Sequence, residues 1–121
     1  MVAVGEHRGD EGARDVGLRI DVSEREGATI VAFRGELDLE EAPLAREALA
    51  DAVARGGDAV TVDLRDVTFL GSTGVRILID AQAAAQAAGA RMRVVQGDGP
   101  ARRLIELLGL GERLDVADPD E

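Results

Sequence analysis

The chain contains no cysteine, no lysine, no tryptophan and no tyrosine, and only one histidine, in 121 residues. Each absence closes a class of chemistry. Without cysteine there is no disulfide, no thiolate nucleophile and no thiol metal site. Without lysine there is no Schiff-base amine and no P-loop lysine; all 14 basic side chains other than the histidine are arginine. His7 stands in an unpatterned N-terminal stretch, so a Ser-His-Asp triad would have to recruit it from a tail. Phe33 and Phe69 are the only aromatics, which leaves Ala, Val and Leu to fill the core. No apolar run approaches the ~20 residues of a membrane-spanning helix, and the opening MVAVGEHRGD lacks the apolar stretch of a signal peptide. These features lead us to expect a cytoplasmic protein with no membrane partner. The formal net charge of −10 argues against nucleic acid, whose phosphates attract basic surfaces. It favours a partner with a basic face.

What is present is one domain's worth of alternating strand and helix patterns. Residues 1–17 mix Gly, Glu, Asp and Arg without periodicity and read as a flexible tail. Leu18 to Ser23 alternates apolar and polar residues, and Ala28 to Phe33 forms a more continuous apolar run. With the turn Glu24–Gly27 between them they suggest an antiparallel hairpin. A helix is predicted from about Glu41 to Arg55, with Pro43 in its first turn and Gly56-Gly57 as its stop. Its apolar stripe is Leu44, Ala48, Leu49, Ala52 and Val53, while Glu40 and Glu41 read as solvated acids near the positive end of its dipole.

A strand follows at Ala59–Leu64, then a long helix from the turn Gly71–Gly74 to Gly89, with Val75, Leu78, Ile79, Ala83 and Gln86 at helical spacing. Arg91 to Gln96 reads as a strand and Pro100 to Leu108 as a helix whose apolar side is Leu104, Ile105, Leu107 and Leu108. Leu114 to Val116 suggests an edge strand, and residues 118–121 an acidic tail. The expected fold is therefore α/β, β-β-α-β-α-β-α, with a mixed four- or five-stranded sheet, helices mainly on one face, and the domain spanning residues 18–117.

In such sheets, ligands and partners meet the loops at the carboxyl ends of the strands. Asp38 and Ser72 both follow strands that lead into helices, so they are expected at the same end. Ser72 sits where an N-cap belongs, its hydroxyl accepting from the first-turn amides. Asp63 and Asp66 invite a reading as paired acids, but without a lysine or a third acid in register they fit a polar surface better. A small enzyme or nucleotide-binding protein is weakly supported: the chain offers no lysine, no Gly-rich phosphate loop and no usable histidine. No metal or cofactor is implied.

Three stretches carry a resemblance. GELD at Gly35–Asp38, VTVDLRDVTFL at Val60–Leu70 and GSTG at Gly71–Gly74 resemble the STAS domain, and most closely the bacterial anti-sigma-factor antagonists. The resemblance extends through the strand at Met92–Val95 and ARRLIELLGL, from roughly Leu18 to Val116. It implies a STAS-type fold and a protein-binding switch rather than an enzyme. In that family the antagonist binds an anti-sigma factor that is also a serine kinase, frees the sigma factor, and lets go when phosphorylated. A serine phosphatase resets it, in stress-response or sporulation circuits. The matching phosphoacceptor is Ser72, with Thr73 as the alternative. Asp38, Gly71, Ser72, Thr73, Gly74 and Arg76 are the implied partner-binding residues. The family usually has aspartate where this chain has Gly71. An alternative duty for such a domain is an unphosphorylated interaction module in a stress-signalling scaffold or a lipid-transport complex.

Overall fold

A computed structural model describes residues 17–55 and 58–117. The predicted tails at residues 1–17 and 118–121, and the Gly56-Gly57 stop, lie outside the described residues except for Gly17, whose carbonyl accepts the Glu36 N–H at 2.7 Å. Strands β1 (Leu18–Arg25), β2 (Ala28–Leu37), β3 (Ala59–Leu70), β4 (Arg91–Val95) and β5 (Val116–Ala117) form one sheet in that spatial order. The β1–β2 pair is antiparallel and the other three pairs are parallel. A 3-10 turn (Leu39–Glu41) and helix α1 (Ala42–Ala54) link β2 to β3; α2 (Ser72–Ala87) links β3 to β4; α3 (Pro100–Leu107) lies between β4 and β5. Each crossover steps one strand in the same direction, so the right-handed rule puts the helices over one face.

The hairpin turn is tighter than the sequence suggested. Arg25 pairs with Ala28, leaving only Glu26 and Gly27 in the loop, both at positive φ (52° and 84°). Two such residues make the turn whose twist matches the flanking strands. On the helix-covered face Ile20, Val31, Phe33, Val62, Leu64 and Val94 are sealed from solvent. Arg19 on the other face is exposed, and Asp21, Thr61, Asp63 and Arg93 are half-buried, the in/out alternation of a half-solvated sheet.

Strand β3 is six residues longer than the Ala59–Leu64 prediction, because two bulges interrupt its alternation. Ala32 pairs with Asp63 but Arg34 with Asp66; Gly35 pairs with Val67 but Glu36 with Phe69. At each step β3 inserts one extra residue. The buried positions therefore run Val60, Val62, Leu64, then Val67 and Leu70, a spacing of two that becomes three.

The first bulge is braced by its own side chains. Asp63 Oδ1 accepts from the Arg65 backbone N–H at 3.0 Å and from Nε at 3.0 Å, while Oδ2 accepts from Nη2 at 2.7 Å. Partial burial pushes the Asp63 carboxyl up, but the hydrogen bonds and charge of Arg65, with the charge of Arg34, outweigh it and hold it below its ordinary 3.8. Asp66 lies 3.6 Å from Arg34. The two acids thus each face an arginine, and no cluster of three metal-ligating side chains exists among the described residues.

The helical stripes differ in phase from the sequence reading. On α2 the buried positions are Gly74, Val75, Ile77, Leu78, Ala81 and Ala85, whereas Ala83 and Gln86 are exposed. The alanine-rich second half looks alike on every side, so composition could not fix its phase. On α1, Ala45 joins Ala48, Leu49 and Ala52 in the core, with Leu44 and Val53 packed at its margin. On α3, Ala101 and Ile105 are buried, while Leu107 and Leu108 are 82% and 51% exposed. Leu107, two residues after Ile105, falls about 200° around the helix on its outer face, and Leu108 is the C-cap. Leu114, expected in the edge strand, instead plugs the core from the preceding turn, and β5 begins two residues later.

Candidate functional site

The register of β2 and β3 builds the site. Leu37 and Leu70 are paired as the last residues of adjacent parallel strands, so Asp38 and Gly71 emerge side by side. The two bulges make this level ending, since ten residues of β2 are matched by twelve of β3. The Gly71 N–H donates to the Leu37 carbonyl at 3.1 Å. A Cβ on Gly71 would overlap the Asp38 carboxylate, and one on Gly74 would lie 2.5 Å from the Leu37 carbonyl oxygen. The glycines at both ends of GSTG therefore let α2 sit directly against the end of β2.

Gly71, not Ser72, is the N-cap of α2, with extended φ −92° and ψ 178°. Its carbonyl accepts the Val75 N–H at 3.1 Å. Ser72 is the first helical residue, so its side chain points outward instead of folding over the helix start. Ser72 is exposed, Thr73 half-buried and Gly74 buried. Of the two hydroxyls the structure presents that of Ser72 more openly. It stands beside the positive end of a sixteen-residue helix.

Asp38 precedes the 3-10 turn with extended backbone (φ −149°, ψ −158°). Its N–H donates to Glu41 Oε1 at 3.1 Å, the reciprocal arm of a capping box. Glu41, expected to be solvated, is only 3% exposed. It closes the turn that aims Asp38 at Gly71, which is why a carboxylate is tolerated there.

Arg76 lies one helical turn beyond Ser72, its side chain 73% exposed and its Nε 3.9 Å from Asp80 Oδ1. The other Asp80 oxygen accepts from Arg46 of α1 at 3.0 Å. Two apolar side chains that sequence reasoning did not single out are exposed near these strand ends in the chain: Leu39 is 72% and Phe69 50% exposed. Leu39 directly follows Asp38, and Phe69 pairs with Glu36 two residues before Gly71. The signal available was the placement of one of only two aromatics next to GSTG.

The strand ends of this α/β domain thus carry an exposed hydroxyl at a helix start, a carboxylate against the preceding residue and two exposed apolar side chains. Residues 19–118 match the STAS domain family, and the chain belongs to that family. It is 34% identical over 95 residues to the anti-sigma-F factor antagonist RsfB of Mycobacterium tuberculosis, covering 77% of this chain and 75% of that protein. It is 26% identical over 104 residues to the anti-sigma-B factor antagonist of Bacillus subtilis, covering 86% and 94%. The crystal structure of an anti-sigma factor antagonist from Mycobacterium paratuberculosis superimposes with a TM-score of 0.75 at 33% identity, over 84% of this chain and 86% of that one.

Proposed function

We propose that this STAS domain is an anti-sigma-factor antagonist, acting in the cytoplasm by binding rather than catalysis. It binds an anti-sigma factor that is also a serine kinase, and so frees the sigma factor. It is switched off when that kinase moves the γ-phosphoryl group of ATP to Ser72 Oγ, the hydroxyl proton passing to a base of the kinase, the bond to the β-phosphate oxygen breaking and ADP leaving. A serine phosphatase resets it by hydrolysis: water takes the phosphoryl group, the bond to Ser72 Oγ breaks, and inorganic phosphate leaves as the hydroxyl is restored. The observation that carries this reading is the exposed Ser72 hydroxyl on the first residue of α2, directly after the Gly71 that packs against the Asp38 carboxylate. The relatives named as anti-sigma-factor antagonists support it.

The physics of the switch needs no refolding. A phosphate adds about −1.5 to −2 charges and three acceptor oxygens, which a helix N-terminus accommodates. Its effect falls on the partner. At 4 Å from a partner carboxylate, one added charge costs roughly 4 kcal/mol at an effective dielectric of 20. Because about 1.4 kcal/mol is tenfold in affinity, even part of that penalty dissociates the complex.

Phosphopeptide mass spectrometry of the protein from its native cells, across growth and stress, tests the reading. Trypsin releases Asp66–Arg76, which carries Thr68, Ser72 and Thr73 and resolves them on fragmentation. Condition-dependent phosphate on Ser72 is the expected result, with Ser72→Ala retaining its anti-sigma factor in the presence of ATP. No phosphate under any condition would make the protein a constitutive STAS binder, its phosphoacceptor role lost with the aspartate that Gly71 replaces.

A further inference from the structure

Ser72, Arg76 and Asp80 lie at successive fourth positions on α2, in one line along an exposed face. Asp80 is shared. Arg46 of α1 holds one oxygen at 3.0 Å, while Arg76 sits only loosely, 3.9 Å from the other. The Arg76–Asp80 pair also has the weaker polarity: an acid at the N-terminal position and a base four residues later is the better order on a helix. A phosphate on Ser72 would form that better-ordered pair with Arg76, and with more charge than a carboxylate. From the turn before α1, the Asp38 carboxylate lies against Gly71, the residue preceding Ser72, and disfavours a phosphate on that side.

Building on the phosphoswitch proposed above, we infer that Arg76 is the positioning residue of the phosphorylated state: it leaves Asp80 and pairs with the phosphate on Ser72. Arg46 keeps Asp80 neutralised when Arg76 departs, so the exchange strands no acid. The dianion is then held along α2 and partly neutralised. Arg76 thereby sets how much of the phosphate's charge faces a partner.

The test uses the full chain with phosphoserine placed at residue 72 during translation, so its outcome does not depend on any kinase recognising Ser72. Thermal unfolding is compared with and without the phosphate in the Arg76 and Arg76→Gln proteins; Arg76 is exposed, and the fold tolerates the change. The phosphate should raise the Tm by about 2 °C more with Arg76 than with Gln, and the difference should shrink at high salt. In the Arg76 protein, the Arg76 Nε–H resonance should move on phosphorylation while that of Arg46 stays in place. Equal phosphate increments in the two proteins, or an unmoved Arg76 resonance, would overturn the inference. Neither result bears on whether Ser72 is modified in cells.

Discussion

The carboxylate of Asp38 occupies the space in which a side chain on residue 71 would begin. Gly71 has an ordinary extended backbone (φ −92°), so the demand for glycine is one of room rather than conformation. The neighbouring strand end thus places the Asp38 carboxylate against the residue that precedes Ser72.

Gly71→Ala should therefore destabilise the fold by about 1 kcal/mol, as Asp38 is forced to another rotamer. Asp38→Ala alone should cost about 1 kcal/mol through its lost cap, and the double variant should lose clearly less than the sum of the two. Chemical denaturation of the two single variants and the double variant measures the coupling. Additive effects would show that Asp38 does not fill this space.

Gly74→Ala meets a harder obstacle. Its Cβ would lie 2.5 Å from the Leu37 carbonyl oxygen and 2.7 Å from Leu70 Cδ1, and a backbone oxygen cannot rotate away. A loss of about 3 kcal/mol is expected, clearly more than for Gly71→Ala. No second-site change at Asp38 should relieve it.

Leu39 and Phe69 are exposed, so Leu39→Ser and Phe69→Ala should move stability by no more than about 0.5 kcal/mol. Under the proposed function they anchor the partner, and each should weaken binding to the anti-sigma factor about tenfold or more. Isothermal titration with the purified partner measures this. Unchanged affinity in both variants would place the interface elsewhere on the domain.

The Asp63–Arg65 brace gives the fold an acid limb. Because the folded carboxyl titrates below its ordinary 3.8, the unfolded state binds more protons on that limb. The stability from Asp63 is thus complete above the unfolded pKa and lost as pH falls through the folded one. Asp63→Asn should lower stability at neutral pH by about 1 kcal/mol and flatten its fall as pH drops below the ordinary carboxyl value of 3.8. Urea titrations across that range compare the two slopes. Because the brace sets the first bulge, the same variant should broaden the amide signals of Gly71 and Ser72.

Much of this architecture was legible in the sequence, and for identifiable reasons. The order of strands and helices followed from periodicity and from glycine and proline at the boundaries. Antiparallel pairing of β1 with β2 followed from a short turn, and the parallel pairs from the intervening helices. Side-chain partners were less accessible. Glu41 reads as one more surface acid, yet it is buried against the Asp38 N–H. Leu107 and Leu108 fit an apolar run, but Leu107 lies about 200° around the helix from the buried Ile105, and Leu108 is the C-cap residue beyond the helix.

The sequence by itself determined the α/β order, the glycine-bounded GSTG turn and the placement of Asp38 and Ser72 after neighbouring strands. These are local properties, carried by residues within a few positions of one another. The tertiary structure decided that β3 spends two extra residues in bulges, bringing Leu37 and Leu70 level and Asp38 against Gly71. It also decided that Gly71 caps the helix, leaving Ser72 exposed. Those outcomes depend on strand register, which is set by the packing of residues some thirty positions apart; no local pattern carries it.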